Sequence, residues 1–360
     1  MFEILQEVQE KTGGIDAEYG GATGGVISGI TKSGGNDFHG EIHYYNSSNW
    51  LSAAPVKRLL LSPTDERTVS FVQDGKFKDD QHEAGGSVGG RLIRDKLFFF
   101  SAFSPRIRRE SRPYTTSDNQ TLGLSRNTNF WQMFHKVTFN PTDKLRVNAT
   151  FLWSPTTSGG SLPAYSAGPN GTPNTLASLL PNRSLGFFTP QTSYTGQIDW
   201  TPDPTTVITM RGGRYWDNYK STGVAPIGSV LYSASATNLP FDIPAALRQA
   251  VNFTNTPRVT YTDFDIATRT FIQVDGSKIV NKWGQHIFKG GWGFTKNVNK
   301  VNGDIYPGGG YVAIFWDRSY AFPGQTTDRG QYGYYEVNDR GIRGTTGGRM
   351  HNIYLQDTWR

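Results

Sequence analysis

The feature that most constrains the fold is a period-two alternation of apolar and polar residues, which recurs in short segments along the chain. Successive side chains of a β-strand point to opposite faces, so such a segment predicts a strand with one apolar and one polar face. The clearest example is the segment 144–154. Its apolar face carries Leu145, Val147, Ala149, Phe151 and Trp153, and its polar face carries Lys144, Arg146, Asn148 and Thr150.

The segment 130–139 alternates in the same way, except that Phe134 and His135 break the pattern. Residues 140–143, Asn-Pro-Thr-Asp, separate it from the next segment and have the composition of a tight turn. The two segments therefore predict an antiparallel hairpin. The same pattern predicts further strands, ten in all, at 37–46, 83–92, 97–103, 192–200, 206–216, 268–278, 286–296 and 349–359.

The connections between the predicted strands alternate in length, with short turns inside the hairpins and long segments between them. Several long loops are uncommon in a compact soluble domain. Short and long connections in alternation are typical of outer-membrane barrels, which have tight periplasmic turns and long extracellular loops. The predicted loops are 47–82, 104–129, 155–191, 217–267 and 297–348. One of them predicts a short helix, with Asp242 as N-cap and Pro244 in the first turn.

A secreted β-sandwich is the alternative, because its strands also alternate in polarity. Besides the connections, aromatic rings at strand ends favour a barrel, since Trp and Tyr concentrate at membrane–water interfaces. The chain has no run of 18 apolar residues, which excludes a transmembrane helix, whereas membrane strands need none. The predicted fold class is therefore all-β, a partial antiparallel transmembrane barrel of about ten strands. Its predicted membrane-interface aromatics are Trp131, Trp153, Trp200, Trp216 and Trp359.

The side chains that carry catalysis or bind cofactors form no recognisable site in this sequence. The absence of cysteine excludes disulfides and thiolate metal sites. His39 and His43 share a predicted strand face with Glu41, but their spacing suits a polar lumen better than a metal site. We therefore expect no enzyme activity, no cofactor, no metal and no nucleic-acid partner. The densest basic cluster is interpreted as a solvated loop and consists of Arg106, Arg108, Arg109 and Arg112.

Several sequence pieces together resemble one family. The stretch 4–45 contains AEYGGATGGV (17–26), ITKSGGN (30–36) and FHG (38–40), followed later by GGSVGGRLIRDKLFFFSAF (85–103) and YLQDTWR (354–360). In combination they resemble TonB-dependent receptors of the Oar-like group, at the junction between the plug and the barrel. A glycine-rich turn of an unrelated β protein is the alternative for 17–26 alone. The resemblance implies a plug–barrel junction motif at Tyr19, Gly20, Gly21, Gly24 and Gly25.

The resemblance also implies an organisation and a function. Residues 1–33 would be the end of a plug domain, and 34–360 the N-terminal part of an outer-membrane barrel with long extracellular loops. We expect a fragment, because barrels of this kind close with about 22 strands and the TonB-contacting segment is not in this sequence. The expected function is uptake of a bulky solute across the outer membrane of a Gram-negative-type bacterium. The expected partners are outer-membrane lipid, a TonB-type inner-membrane complex and an unknown solute. The alternative is a non-transporting surface barrel or adhesin-like protein whose loops bind partners.

Overall fold

Nearly all regular structure in the described part of the chain is β-strand. The computed structural model describes residues 4–13, 24–62, 67–73, 75–115, 121–162, 184–223, 228–236, 239, 242–255, 261–304, 310–321, 323–324, 330, 332–339 and 341–360. The strands are β1 (Leu5–Lys11), β2 (Val26–Thr31), β3 (His39–Ser48), β4 (Arg58–Leu61), β5 (Val69–Val72), β6 (Lys78–Ile93), β7 (Leu97–Phe103), β8 (Arg106–Thr115), β9 (Thr121–Phe130), β10 (Met133–Thr142), β11 (Leu145–Trp153), β12 (Thr156–Gly159), β13 (Gly186–Thr189), β14 (Thr192–Asp203), β15 (Thr206–Thr222), β16 (Ser229–Ala234), β17 (Tyr261–Asn281), β18 (Gln285–Asp304), β19 (Tyr311–Trp316), β20 (Gly333–Asn338) and β21 (Ile342–Trp359).

One antiparallel sheet contains ten long strands, which confirms the predicted fold class. Four of them consist of two segments in series, β7–β8, β9–β10, β11–β12 and β13–β14. Backbone hydrogen bonds continue across the breaks, for example from Ser104 to Gln132 and from Ser154 to Gln191, both at 2.9 Å. The sheet begins with β3 and ends with β21, and these two strands do not pair with each other in the part of the chain that is described.

Tight turns join the hairpins at 94–96, 143–144, 204–205 and 282–284. The predicted turns after Phe139 and Trp200 are too long, because β10 continues to Thr142 and β14 to Asp203. The strand register shifts at each of these places, and the shifted residues include Pro141 in β10 and Pro202 in β14. Proline has no N–H to donate, and a bulge near a strand end accommodates it without breaking the ladder.

The strands also extend far into the segments predicted as long loops. The pair β8 and β9 runs from Arg106 opposite Phe130 to Thr115 opposite Thr121. The pair β17 and β18 reaches Tyr261 opposite Asp304. Both faces of these extensions carry polar residues, so the alternation is lost although the backbone ladder continues. Strand pairing beyond the apolar band therefore left no periodic signal in the sequence.

The basic cluster lies on β8 rather than in a loop, which corrects the sequence interpretation. Its arginines have partners on the neighbouring strands. Arg108 Nη2 lies 2.6 Å from Asp79 Oδ2 on β6, and Arg109 donates to Asn129 Oδ1 on β9 at 3.0 Å. The buried Glu110 on β8 forms an ion pair with Arg126 on β9, whose Nη2 lies 2.8 Å from Glu110 Oε2.

Three strands from the connections between long strands form a small separate sheet, in the order β16–β19–β20, with β16 and β19 parallel. The predicted helix beside it is only a single 3-10 turn, Ala245–Leu247, with Pro244 rather than Asp242 at its N-cap position. Asp242 pairs instead with Arg248, so its carboxylate does not cap the helix. Among the described residues, no helix is long and apolar enough to cross a membrane.

The register of the large sheet separates two faces. One row of direct neighbours runs through Lys136, Thr150 and Thr195, and the next row through Val137 and Ala149. The face of Lys136 packs against the hairpin β1–β2, and we call it the lumenal face. The opposite, outward face carries the predicted apolar side chains, including Val137, Val147 and Phe151.

Candidate functional site

The hairpin β1–β2 docks on the lumenal face through a small apolar contact. Ile4 packs against a cluster of Phe100, Ala102 and Phe134, and Leu152 joins it from β11. Phe100 and Phe134 are 1% and 4% exposed, and their ring centroids are 6.2 Å apart. These rings point inward, where they would otherwise meet water. The hairpin therefore covers an apolar patch on a mostly polar wall.

Two polar contacts join the end of the hairpin to the wall. Lys136 Nζ donates to the carbonyl oxygen of Thr31 at 2.9 Å and to its hydroxyl at 3.1 Å. Lys32 Nζ lies 3.5 Å from Glu41 Oε1 on β3, and both side chains are partly exposed. Contacts of this kind contribute about 1 kcal/mol each. The attachment is therefore noncovalent and built from few interactions.

The linker between hairpin and barrel is fixed to the β6–β7 turn. The side-chain amide of Asn36 donates to Asp95 Oδ1 at 2.6 Å, and the Asp95 N–H donates back to Asn36 Oδ1 at 2.9 Å. Arg91 adds a bond to the Asn36 carbonyl at 2.9 Å. Asp95 has a φ of 60°, a region that Asp tolerates better than most residues. A Cβ on Gly34 would overlap the Phe99 carbonyl, so the linker passes the wall where only glycine fits.

The junction motif expected from the resemblance lies only partly within the described residues. Tyr19, Gly20 and Gly21 fall outside them. Gly24 and Gly25 immediately precede β2, and Gly25 has a φ of 139°. A Cβ at Gly25 would come within 3.2 Å of the Lys11 carbonyl, at the end of β1. Its role at the junction remains a prediction.

A cavity of about 940 Å³, lined by both polar residues and apolar surface, lies on the lumenal face, across β14, β15, β17, β18 and β21. Alternation explains why polar side chains line it, since the same strands present apolar residues outward. The polar side chains that reach it include Arg211, Tyr215, Arg269, Gln273, Asn297 and Asn299.

A buried carboxylate organises the wall beside this cavity. Asp275 accepts Arg211 Nη2 at 2.8 Å, the Tyr354 hydroxyl at 2.8 Å and Gln273 Nε2 at 3.0 Å. The three donors come from β15, β21 and β17, so one side chain ties several strands together. Arg269 is exposed in the cavity and has no ion-pair partner among the described residues. It is therefore the charge most available to a solute.

The predicted interface aromatics occupy the outward face. Trp153 and Trp216 both lie opposite Thr192, so they stand on one row of the sheet. Trp131 is 40% exposed and stacks on Phe103 near the same end. At the other end, near the tight turns, the corresponding aromatics are Trp200, 46% exposed, and Trp359, 71% exposed. Their contact with the membrane interface remains a prediction.

The comparisons with known proteins agree with this geometry. Residues 30–121 match the family model described as the outer membrane beta barrel domain. Over 108 residues the chain is 34% identical to the TonB-dependent transporter Oar of Myxococcus xanthus, covering 30% of this chain and 10% of that protein. The outer membrane transporter YddB of Escherichia coli superposes with a TM-score of 0.59 at 11% identity, covering 99% of this chain and 42% of that one. The chain therefore has the fold of an outer-membrane β-barrel, and part of it is similar to a TonB-dependent transporter.

A second solved outer-membrane receptor superposes less closely on this chain. The siderophore receptor PirA of Acinetobacter baumannii aligns with a TM-score of 0.49 at 13% identity, covering 99% of this chain and 41% of that one. The chain spans a tenth of the length of the curated relative that it matches. The relatives are transporters or receptors, not enzymes, and the outer membrane is the location of this chain.

Proposed function

We propose that this protein takes up a bulky solute through the outer membrane, with energy from a TonB-type complex in the inner membrane. In this proposal residues 1–33 are the end of a plug and 34–360 form barrel wall and extracellular loops. The observation that carries it is the hairpin β1–β2, which lies against the lumenal face and, beyond its covalent linker to β3, is held there by a few noncovalent contacts.

The strength of that attachment suits a movable plug. Ile4 and Lys136 provide one small apolar contact and one pair of hydrogen bonds. Such contacts can be broken and remade without unfolding the barrel, whose strands are joined by continuous ladders. Asn36, bonded to Asp95, would hold the linker while the hairpin moves. Pulling on the plug would therefore open the lumen and leave the wall intact.

The lumenal cavity supports a polar solute of substantial size. Its volume of about 940 Å³ lies at the upper end of the range for ligand pockets, about 300–1,000 Å³. Arg269 offers hydrogen-bond donors into it, and Asn297 and Asn299 offer amides. Outward aromatics such as Trp153 and Trp200 would seat the barrel in outer-membrane lipid, the second expected partner.

Labelling of Thr31 in living cells tests the proposal without knowledge of the solute. These 360 residues contain no cysteine, so Thr31→Cys gives this chain one thiol, under the Lys136 contact. We expect a membrane-impermeant fluorescent maleimide to label this thiol faster in energised cells than after a protonophore is added. Asn299→Cys, on the cavity wall, is the matched control and should label equally in both conditions.

Equal labelling of Thr31→Cys with and without the protonophore would contradict energised transport. That result would favour the second candidate, a non-transporting surface barrel whose loops bind partners. One observation supports this candidate: Tyr335 and Val337 on β20 are 70% and 74% exposed, outside the large sheet. Exposed apolar side chains of this size are typical of interaction surfaces.

A further inference from the structure

The small sheet β16–β19–β20 is built from two different connections of the barrel wall. The strand β16 belongs to the connection between β15 and β17, whereas β19 and β20 belong to the connection between β18 and β21. Both connections leave the large sheet at the end opposite the tight turns, and the tight turns of outer-membrane barrels are periplasmic. The small sheet therefore lies on the extracellular side, where other macromolecules can reach it.

One face of this sheet, which we call the apolar face, carries two rows of apolar or aromatic side chains. The register aligns Val230, Val312 and Val337 in the first row, and Tyr232, Ile314 and Tyr335 in the second. On the β16 side the face is covered, since Tyr232 is 4% exposed and its ring lies 6.0 Å from that of Phe253. On the β20 side it is open, since Tyr335 is 70% and Val337 74% exposed.

A recess of about 460 Å³ lies on the apolar face between its covered and open halves. The Trp316 indole N–H donates to the Leu247 carbonyl oxygen at 3.0 Å, and this bond fixes one wall of the recess. Ile314 lines it from β19 and Tyr335 from β20. The lining is largely apolar, so the recess suits an apolar side chain better than a sugar or a charged group.

The outer edge of β20 is free to pair with another strand. The Asp317 N–H donates to the Tyr332 carbonyl oxygen at 3.0 Å, just beyond the ends of β19 and β20. Hydrogen-bonded and non-hydrogen-bonded pairs alternate in an antiparallel ladder, so the next bonded pairs along β20 include the pair at Glu336. The N–H and C=O groups of Tyr335 and Val337 therefore point away from β19. Within the described ranges, no strand pairs with this edge.

Glu336 is the one acidic or basic residue in β20. It points to the face opposite Tyr335 and Val337, and it has no ion-pair partner in the described part of the chain. A residue opposite Glu336 on an added antiparallel strand would form a non-hydrogen-bonded pair, in which the side chains are closest. Opposite charges in such a pair stabilise a sheet, so the edge favours a cation at this place.

We propose that β20 binds an extended segment of an extracellular partner protein as an added antiparallel strand, with a lysine or arginine opposite Glu336 and an apolar residue on each side of it. Hydrogen bonds to the backbone of Tyr335 and Val337 supply affinity, and the alternating side chains supply specificity. The two apolar residues cover Tyr335 and Val337, and a large one has room in the recess. The site lies outside the lumenal wall, so it can serve a transporter and a non-transporting barrel alike.

Binding of a designed peptide to the intact protein in detergent, followed by fluorescence anisotropy, tests this proposal. The probe is a short labelled peptide in which valine and threonine alternate around a central lysine flanked by valines. Val337→Pro removes one N–H from the free edge, where a strand tolerates proline. Val337→Ala is the matched control, because it loses the same side chain and keeps the N–H. Val337→Pro should bind the peptide at least about tenfold more weakly than Val337→Ala.

The charge and the ladder are tested separately. Glu336→Gln should weaken binding of the lysine peptide about two- to fivefold, because an exposed ion pair contributes little. Glu336→Lys should reverse the preference, so that the same peptide with a central glutamate binds better than the lysine peptide. Methylation of the peptide nitrogens that face β20 should abolish binding, whereas methylation of the alternate nitrogens should preserve it.

Each outcome decides the proposal. Equal binding by the two methylated peptides, or by Val337→Pro and Val337→Ala, would indicate a purely apolar site and overturn it. No binding to the unmodified protein would mean that Glu336 only protects the edge from pairing, which also overturns it. A protein dimer in detergent that Val337→Pro abolishes would assign the edge to a second copy instead. Should Val337→Pro alter proteolysis of the loops, the methylated peptides and the charge reversal at Glu336 decide alone.

Discussion

Arginine at Phe151 provides the most direct test of which face contacts lipid. Phe151 lies six residues beyond Leu145, the first residue of β11, which places it roughly 20 Å along the strand and roughly 16 Å up the membrane normal. This height is within the central part of an apolar band about 25 Å tall. Its ring is 40% exposed on the outward face and stacks on His135 at 6.4 Å. Phe151→Arg should therefore cost about 2–4 kcal/mol of folding free energy.

The matched substitution is on the same strand but on the other face. Asn148 points inward and accepts a hydrogen bond from the buried Thr138 hydroxyl at 2.9 Å. Asn148→Arg removes that acceptor, at a cost of about 1 kcal/mol, and leaves the new charge in a wet lumen. The two arginines should therefore differ by about 1–3 kcal/mol. Phe151→Ala separates loss of the ring from the cost of the charge.

Folding of the intact protein into lipid vesicles, titrated with urea and followed by tryptophan fluorescence, measures these differences. The midpoint for Phe151→Arg should lie well below the midpoints for Phe151→Ala and Asn148→Arg. Equal midpoints for the two arginine variants would show that both faces meet the same environment. The assignment of lumenal and outward faces would then be wrong.

Three further predictions follow from contacts in the wall and the loops. Phe134→Ala should cost about 3–5 kcal/mol and speed tryptic cleavage of the docked hairpin; unchanged cleavage would show that the ring does not support it. Glu110→Gln should lower the free energy of unfolding by about 1–3 kcal/mol, measured by denaturant titration, because the partly exposed Arg126 loses its partner; no change would mean that the pair is fully screened. The Gly341 N–H and then Arg343 lower the pKa of Asp339. The stability that these contacts give the folded loop should therefore be fully present above pH 3.8 and disappear as pH falls through the lowered pKa. Asp339→Asn should therefore increase proteolysis of this loop at pH 7 by a non-specific protease, and its difference from the unmodified protein should shrink as the pH falls into the range of an acid protease.

The sequence predicted the part of each strand that lies in the apolar band, because only there do the two faces differ in polarity. Residues 144–154 and β11 agree within two residues at each end. Where the strands rise beyond the band, as in β8 and β9, both faces are polar and the period-two signal disappears. Hydrogen bonding of the backbone continues without it, so the predicted loops were too long.

The candidate site was less predictable, because its contacts join residues that are distant in sequence. Lys136 falls on the polar face of the predicted strand 130–139, but nothing in its sequence surroundings indicates that Thr31 lies 2.9 Å away. The bond between Asn36 and Asp95 likewise links the linker to a turn 59 residues later. Short polar residues in a glycine-rich linker carry no local signal for such a partner.

The irregularities in the alternation do carry information about the plug. In an empty polar lumen, an inward aromatic residue such as Phe134 would expose its ring to water at a cost of about 25 cal/mol per Å² of apolar area. Phe134 breaks the pattern of β10 and is also the residue that, with Phe100, packs against Ile4 of the docked hairpin. Lipid covers apolar residues on the outward face, and the hairpin covers apolar residues on the lumenal face. Inward apolar residues on neighbouring strands of such a barrel therefore indicate where its plug rests, before any contact is known.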